Sequence, residues 1–173
     1  MKIFSSEQIK KCDEFTILNE PVTSVNLMER AAQSAVDWIL KKFGYDYSFH
    51  FFCGNGNNGG DGFAITVFIG EENQNFSKDA EIIFHKVKQI SGIDVLDFHA
   101  VKGFEFKNNS VIIDALFGTG LNRNIEGKTV ALIKLLNQLS FPKISIVIPS
   151  GLFADKILAE HSTVVKADVT LSF

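Results

Sequence analysis

Two hydrophobic periods alternate along this chain. From Ser24 to Lys41, Leu27, Met28, Ala31, Ala32, Ala35, Ile39 and Leu40 recur every three or four residues, while Glu29, Arg30, Gln33 and Asp37 take the opposite face. That spacing predicts a helix capped by Thr23 or Ser24, with Trp38 off the apolar stripe. Shorter apolar runs follow. Residues 48–53 end at a glycine, and Ala64 to Ile69 are rich in β-branched residues and stop at Gly70, so both predict strands. Ser77 is placed to cap a second helix using Ile83, Val87 and Ile90 and ended by Gly92. A third helix is expected over about 128–139, carrying Val130, Ile133, Leu136 and Leu139. Val95 to Phe98, Val111 to Phe117, Ile144 to Ile148 and Val169 to Phe173 predict further strands. Runs such as Val111-Ile-Ile lack the alternation of a sheet with one wet face. The expected fold is therefore α/β, a mostly parallel sheet covered by helices on both faces.

Composition narrows the class. The 173 residues are 46% hydrophobic with a mean hydropathy of +0.13, enough for the core of one globular domain, expected to span 1–173. The 17 Lys and Arg against 20 Asp and Glu leave a formal charge of −3, and no basic run tracks a nucleic-acid backbone, so no nucleic-acid partner is expected. Cys12 and Cys53 are isolated thiols, which suits a reducing compartment, and Cys53 reads as a small strand-end hydrophobe. With neither an apolar leader at the N-terminus nor a stretch of membrane-spanning length, the expectation is a cytoplasmic protein without membrane contact.

The chemistry concentrates in loops at predicted strand ends. Cys53-Gly-Asn-Gly-Asn-Asn-Gly-Gly-Asp-Gly62 holds five glycines, three asparagines and Asp61. Glycines let several backbone N–H groups turn toward one point, as an anion cradle requires, though the same composition also makes an ordinary surface loop. Asp114 sits in an apolar run, where a carboxylate needs a cation or several hydrogen bonds to offset its desolvation; a loop-capping role is the alternative. Gly118-Thr-Gly120 near Arg123 suits phosphate. Pro149-Ser-Gly151 forms the third loop, and its Ser150 could equally cap a helix. Three such loops at the carboxyl ends of strands can converge on one ligand. Gly54-x-Gly56-x-x-Gly59 also matches a dinucleotide fingerprint, with Glu71 as the ribose-binding acid. That acid lies closer to the glycines than the fingerprint requires.

Gly56-Asn-Asn-Gly-Gly-Asp-Gly62, Val111-Ile-Ile-Asp-Ala-Leu-Phe-Gly-Thr-Gly-Leu-Asn-Arg123, Ile148-Pro-Ser-Gly-Leu152 and Leu27-Met-Glu-Arg-Ala31 together resemble the YjeF N-terminal domain family, the NAD(P)HX epimerases. The resemblance covers nearly all of the chain. It implies a Rossmann-like αβα sandwich, usually a homodimer, that interconverts the R and S epimers at C6 of hydrated NADH or NADPH. Matched motif by motif, it implies that Asn57, Asn58, Gly59, Gly60 and Asp61 contact the hydrated nucleotide. It likewise implies that Gly118, Thr119, Gly120, Leu121, Asn122, Arg123 and Asn124 hold its phosphates, and that Asn58, Asp114 and Ser150 bind potassium. Amide, carboxylate and hydroxyl oxygens are hard ligands suited to such an ion.

The chain departs from the family pattern in three places. Where the family has an aspartate before Ile-Pro-Ser-Gly, position 147 is valine, which can neither take nor give a proton. Asp61 is then the reserve candidate for catalysis. After Gly62 about a dozen residues of the family pattern are absent, leaving a join expected to be too short for a parallel crossover. The domain also looks trimmed after Thr170-Leu-Ser-Phe173. The expected function is epimerisation, impaired if position 147 is essential. The alternative is a non-catalytic dimeric scaffold or nucleotide-binding module on the same fold, as in relatives that act in messenger-RNA decapping.

Overall fold

The computed structural model describes residues 5–20, 22–55, 66–70, 76–158 and 162–172. Helix α1 (Ser6–Asn19) and helix α2 (Ser24–Phe43) precede strand β1 (Ser48–Cys53) and strand β2 (Thr66–Ile69). Helix α3 (Lys78–Lys88), strand β3 (Asp94–Asp97) and a 3-10 turn (Phe98–Gly103) lead to strand β4 (Ser110–Ala115). Helix α4 (Gly127–Gln138), strand β5 (Lys143–Ile146) and strand β6 (Val169–Leu171) complete the order. The strands form one sheet ordered β3-β2-β1-β4-β5-β6, every neighbouring pair parallel.

Local chemistry accounts for the helix starts. The Thr23 hydroxyl accepts from Asn26 N at 3.1 Å, and the Ser77 hydroxyl from Ala80 N at 3.3 Å, so each satisfies an otherwise unpaired first-turn donor. Gly44 closes α2 with φ +82°, a conformation that costs glycine nothing.

Alternate strand residues feed two cores. On one face Phe49, Phe51, Val67, Ile113 and Ile146 pack against α2 and α3 through Met28, Ala35, Ile39, Phe84 and Val87. Trp38 also packs against this core, because the covered face of α2 is wider than the stripe of small aliphatic residues. The other face buries Phe52, Phe68 and Ile112 under Leu132, Ile133 and Leu136 of α4, with Phe104 and Phe106 filling beside them.

The connection from β1 to β2 corrects the expectation of a join too short to cross over. Val67 pairs with Phe51 in a parallel ladder, and residues 54–65 join the two strands. Strand β1 is six residues long. Returning along it takes about 20 Å, and twelve residues reach about 40 Å when extended.

His50 on β1 is a buried polar exception. Its Nε2 lies 2.9 Å from Ser110 Oγ and its ring meets Phe104 and Phe106 edge-on, while Nδ1 has no hydrogen-bond partner. Burial, with a smaller contribution from the nearby Lys107 charge, lowers its pKa from 6.5 to about 4. The unfolded chain therefore binds this proton more readily than the folded one. Its stabilising effect is complete above pH 6.5 and is lost as the pH falls toward about 4. Denaturant unfolding between pH 7.5 and 5 is expected to show stability falling with acid, with a flatter slope in His50→Phe. Equal slopes in the two proteins would exclude His50 as the source.

Candidate functional site

The sheet places the ends of β1, β4 and β5 side by side. Asp114 sits in register between Phe52 of β1 and Ser145 of β5 and is fully buried. Four donors reach its carboxylate. Ser145 Oγ donates to Oδ2 at 2.7 Å and Ser150 N at 2.9 Å, while Ser150 Oγ donates to Oδ1 at 2.5 Å and Leu116 N at 3.3 Å. The Ser150 hydroxyl in turn accepts from Phe117 N at 3.0 Å. One carboxylate thus ties together the turn after β4 and the loop after β5.

Burial pushes the Asp114 carboxyl above the usual carboxylate range, against the pull of these hydrogen bonds. Among the described residues no cationic side chain pairs with it. A buried carboxylate flanked by serine hydroxyls, with the Phe117 carbonyl 3.5 Å from Ser150 Oγ, is a hard oxygen set. Such a set fits a monovalent cation, since a hydroxyl that turns its proton aside presents a lone pair in its place.

Glycines allow the close approaches nearby. A Cβ on Gly54 would lie 2.0 Å from Leu116 O, and one on Gly151, at φ +101°, 2.2 Å from Thr163 O. Gly54 N donates to Ala115 O at 3.1 Å and Val165 N to Ser150 O at 2.9 Å, so backbone runs directly against backbone at both places.

Position 147 is the structural outlier. Val147 has φ +67°, alone among non-glycine described residues in being positive, and Ile148 N bonds across it to Ile146 O at 2.8 Å. This is a γ-turn on the disfavoured side of φ, which a β-branched side chain resists. Strand β6 holds it there: Val147 N donates to Leu171 O at 2.7 Å, and Ser172 Oγ donates to Val147 O at 2.7 Å.

Of the residues singled out from the sequence, the fold brings Asp114 and Ser150 together. Ser150 does not cap a helix; it lies in a turn closed by Leu152 N donating to Pro149 O at 3.0 Å. Gly118 to Asn124 form the loop leading to α4, with Leu121 N bonded to Gly118 O at 3.3 Å and Lys156 Nζ to Asn122 O at 3.3 Å. Gly120, Asn122, Arg123 and Asn124 are exposed there. Asn57, Asn58, Gly59, Gly60, Asp61 and Glu71 lie outside the described residues. Sequence reasoning missed Ser145, whose signal was a hydroxyl between two isoleucines in a buried run.

It also missed a cavity of about 520 Å³ beyond the ends of β1 to β4. Leu116, Phe117, Leu132 and Leu135 form apolar lining, while the exposed His99, Lys102 and Lys128 stand at its edge. Gly54 and Asn55 border it where the chain enters the glycine loop.

Comparison with known proteins points the same way. Residues 24–173 match the family model described as YjeF-related protein N-terminus. The chain is 30% identical to an NAD(P)H-hydrate epimerase of Limosilactobacillus fermentum, an alignment spanning 98% of this chain and 84% of that protein. It is 33% identical to the NAD(P)H-hydrate epimerase of Anaerococcus prevotii, over 90% of this chain and 77% of that one. A bifunctional NAD(P)H-hydrate repair enzyme of Archaeoglobus fulgidus is 30% identical, over 85% of this chain and 32% of its own length. The crystal structure of yeast ynu0 superposes with a TM-score of 0.77 at 20% identity, covering 99% of this chain and 80% of that one, and shows the shared fold.

Proposed function

We propose, from the premise that this chain belongs to the YjeF-related N-terminal family, that it is an NAD(P)H-hydrate epimerase. It interconverts the R and S epimers at C6 of hydrated NADH or NADPH, a metabolite-repair isomerisation. The observation that carries this reading is the 30–33% identity to epimerases over 90–98% of the chain. The joined Asp114 and Ser150 support it.

In this reading Asn57, Asn58, Gly59, Gly60 and Asp61 contact the nucleotide, and Gly118 to Asn124 receive its phosphates. Asn58, Asp114 and Ser150 hold a potassium ion, which supplies fixed positive charge beside the substrate when bound. Asp61 remains the acid for proton transfer, since Val147 has none to offer. The deciding experiment supplies mixed NADHX epimers to the purified protein and follows them by chromatography. Interconversion above the spontaneous rate is expected. Its absence, with nucleotide binding retained, would favour the non-catalytic module.

A homodimer through α2 belongs to the same reading. Leu27 and Ala31 are partly exposed and lie outside the packed set that joins α2 to the sheet. Light scattering at micromolar concentration is expected to give twice the chain mass, and a monomer would count against this face.

A further inference from the structure

We infer that helix α1 is a lid, latched by Ser6 to Asp155 in the loop after β5, which swings on the short link before α2 and opens to admit ligand to the strand-end site. The lid takes from the proposed epimerase reading only the identity of that ligand.

Its position follows from its two ends. The Asp155 carboxylate accepts from Ser6 N at 3.1 Å and from the Ser6 hydroxyl. The loop bearing Asp155 also holds the site together, since Ser150 Oγ donates to Asp114 and Lys156 Nζ to Asn122 O at 3.3 Å. At the other end Glu20 accepts from Arg30 of α2 at 2.9 Å. Helix α2 leads directly into β1, so its first turns stand at the carboxyl ends of the strands. Between these anchors the 14 residues of α1 cover about 21 Å, and the two strand spacings from β1 to β5 need only about 10 Å. The helix therefore crosses the edge of the sheet on which Asp114 and Ser150 meet.

It is attached there without being packed. None of its residues is buried, and Ile9 and Ile17, half-buried on one face, are not among the residues packed in either apolar core. Helix α2, by contrast, buries Met28, Ala35 and Ile39. The ties of α1 to the rest of the described residues are exposed, and exposed ion pairs hold weakly.

Yet α1 carries its own supports. Ser5 and Gln8 form the capping box, Lys11 pairs with Glu7 at 2.7 Å, and Thr16 Oγ1 and Asn19 Nδ2 donate to carbonyls one turn back at 2.9 and 2.8 Å. These bonds travel with the helix, so it keeps its form when the latch releases. Behind it Glu20 is extended, at φ −98° and ψ 136°, as the residue before a proline prefers, and this break keeps α1 from running on into α2. A self-supported helix on a short link, held by one exposed latch beside a binding site, can move as a unit.

Hydrogen exchange of the whole chain, read by mass spectrometry, tests the motion, and stopped-flow association of NADPH, read by its own fluorescence, tests the gate. Amides of α1 are expected to exchange about a hundredfold faster than those at the centre of α2. Removing the latch from either side, in Asp155→Ala or Ser6→Pro, is expected to raise exchange in α1 about tenfold and leave α2 unchanged. Proline at this first helical position takes away both donors to Asp155 and suits a helix start. Both variants are expected to bind NADPH several-fold faster than the native chain. Protection of α1 equal to that of α2, or an association rate unchanged in both variants, overturns the proposal. No uptake of NADPH by the native chain or by either variant overturns the gate and the epimerase reading together. Faster association in both variants, without epimerisation of hydrated NADH or NADPH by the native chain, leaves the lid standing and removes the epimerase reading.

Discussion

Val147→Asp is expected to raise the rate of NADHX epimer interconversion by about 10²–10⁴-fold, the usual worth of a positioned general acid or base. Nucleotide affinity should change little, because the residues assigned to holding the nucleotide lie in other loops. The backbone favours this replacement. A β-branched residue at φ +67° carries strain of about 1–3 kcal/mol, and aspartate and asparagine enter positive φ more readily than a β-branched residue does. Part of the relief is offset by packing, since Val147 touches the core beneath α2. Val147→Asn separates the two effects, being expected to keep the backbone relief without giving the rate. If the native chain epimerises as fast as the aspartate variant, position 147 is not catalytic. Asp61→Asn should then abolish activity.

Asp114→Ala is expected to destabilise the fold by about 3–5 kcal/mol, because Ser145, Ser150 and two backbone N–H groups lose one buried acceptor together. For a domain of this size that lowers the melting temperature by roughly 6–20 °C. Asp114→Asn keeps the volume but turns an amide NH₂ toward groups that are themselves donors, so a smaller loss of the same sign is expected. If the cation reading holds, the native chain also melts higher in potassium chloride than in choline chloride at equal ionic strength, and Asp114→Asn removes that difference. A loss below about 1 kcal/mol for Asp114→Ala would show that the four bonds carry no more than a surface cluster does.

The elements legible from sequence were those that announce themselves locally. Helix α2 carried a capping threonine and three- to four-residue spacing, and β4 an unbroken apolar run around one acid. Helix α1 was not legible. It opens with a capping box in which Ser5 and Gln8 exchange bonds, yet no residue of it is buried, and Phe15 and Leu18 stand exposed. Periodicity registers burial, and this helix is fastened by side-chain bonds instead, Asp155 accepting from Ser6 N at 3.1 Å and from the Ser6 hydroxyl.

Strand ends were read too long for a related reason. β4 was expected to reach Phe117 and stops at Ala115, because Leu116 N turns inward to the Asp114 carboxylate. β5 was expected to reach Ile148 and stops at Ile146, because Val147 takes its left-handed turn. In both places an apolar side chain is compatible with a strand, and a hydrogen bond that the apolar pattern does not register overrules it, local at Leu116 and long-range at Val147. The cavity was hidden for the same cause. Its lining comes from distant segments, and nothing within any one of them distinguishes Lys102 or Lys128 from an ordinary solvated lysine.

The anchoring of position 147 by β6 sets an order of events during synthesis. Strand β5 is clamped at its start by Asp168, which accepts from Lys143 N at 2.7 Å and donates its own N–H to Lys143 O at 2.8 Å, and past its end by Leu171 and Ser172. These partners are synthesised about 25 residues after the strand they hold, about one to five seconds later at ordinary elongation rates. A nascent chain can thus pair β1 to β5 and form the Asp114 cluster while the turn at 147 is still free to relax out of its strained conformation, before Leu171 adds to the core beneath α2. Competence at that turn therefore waits for β6.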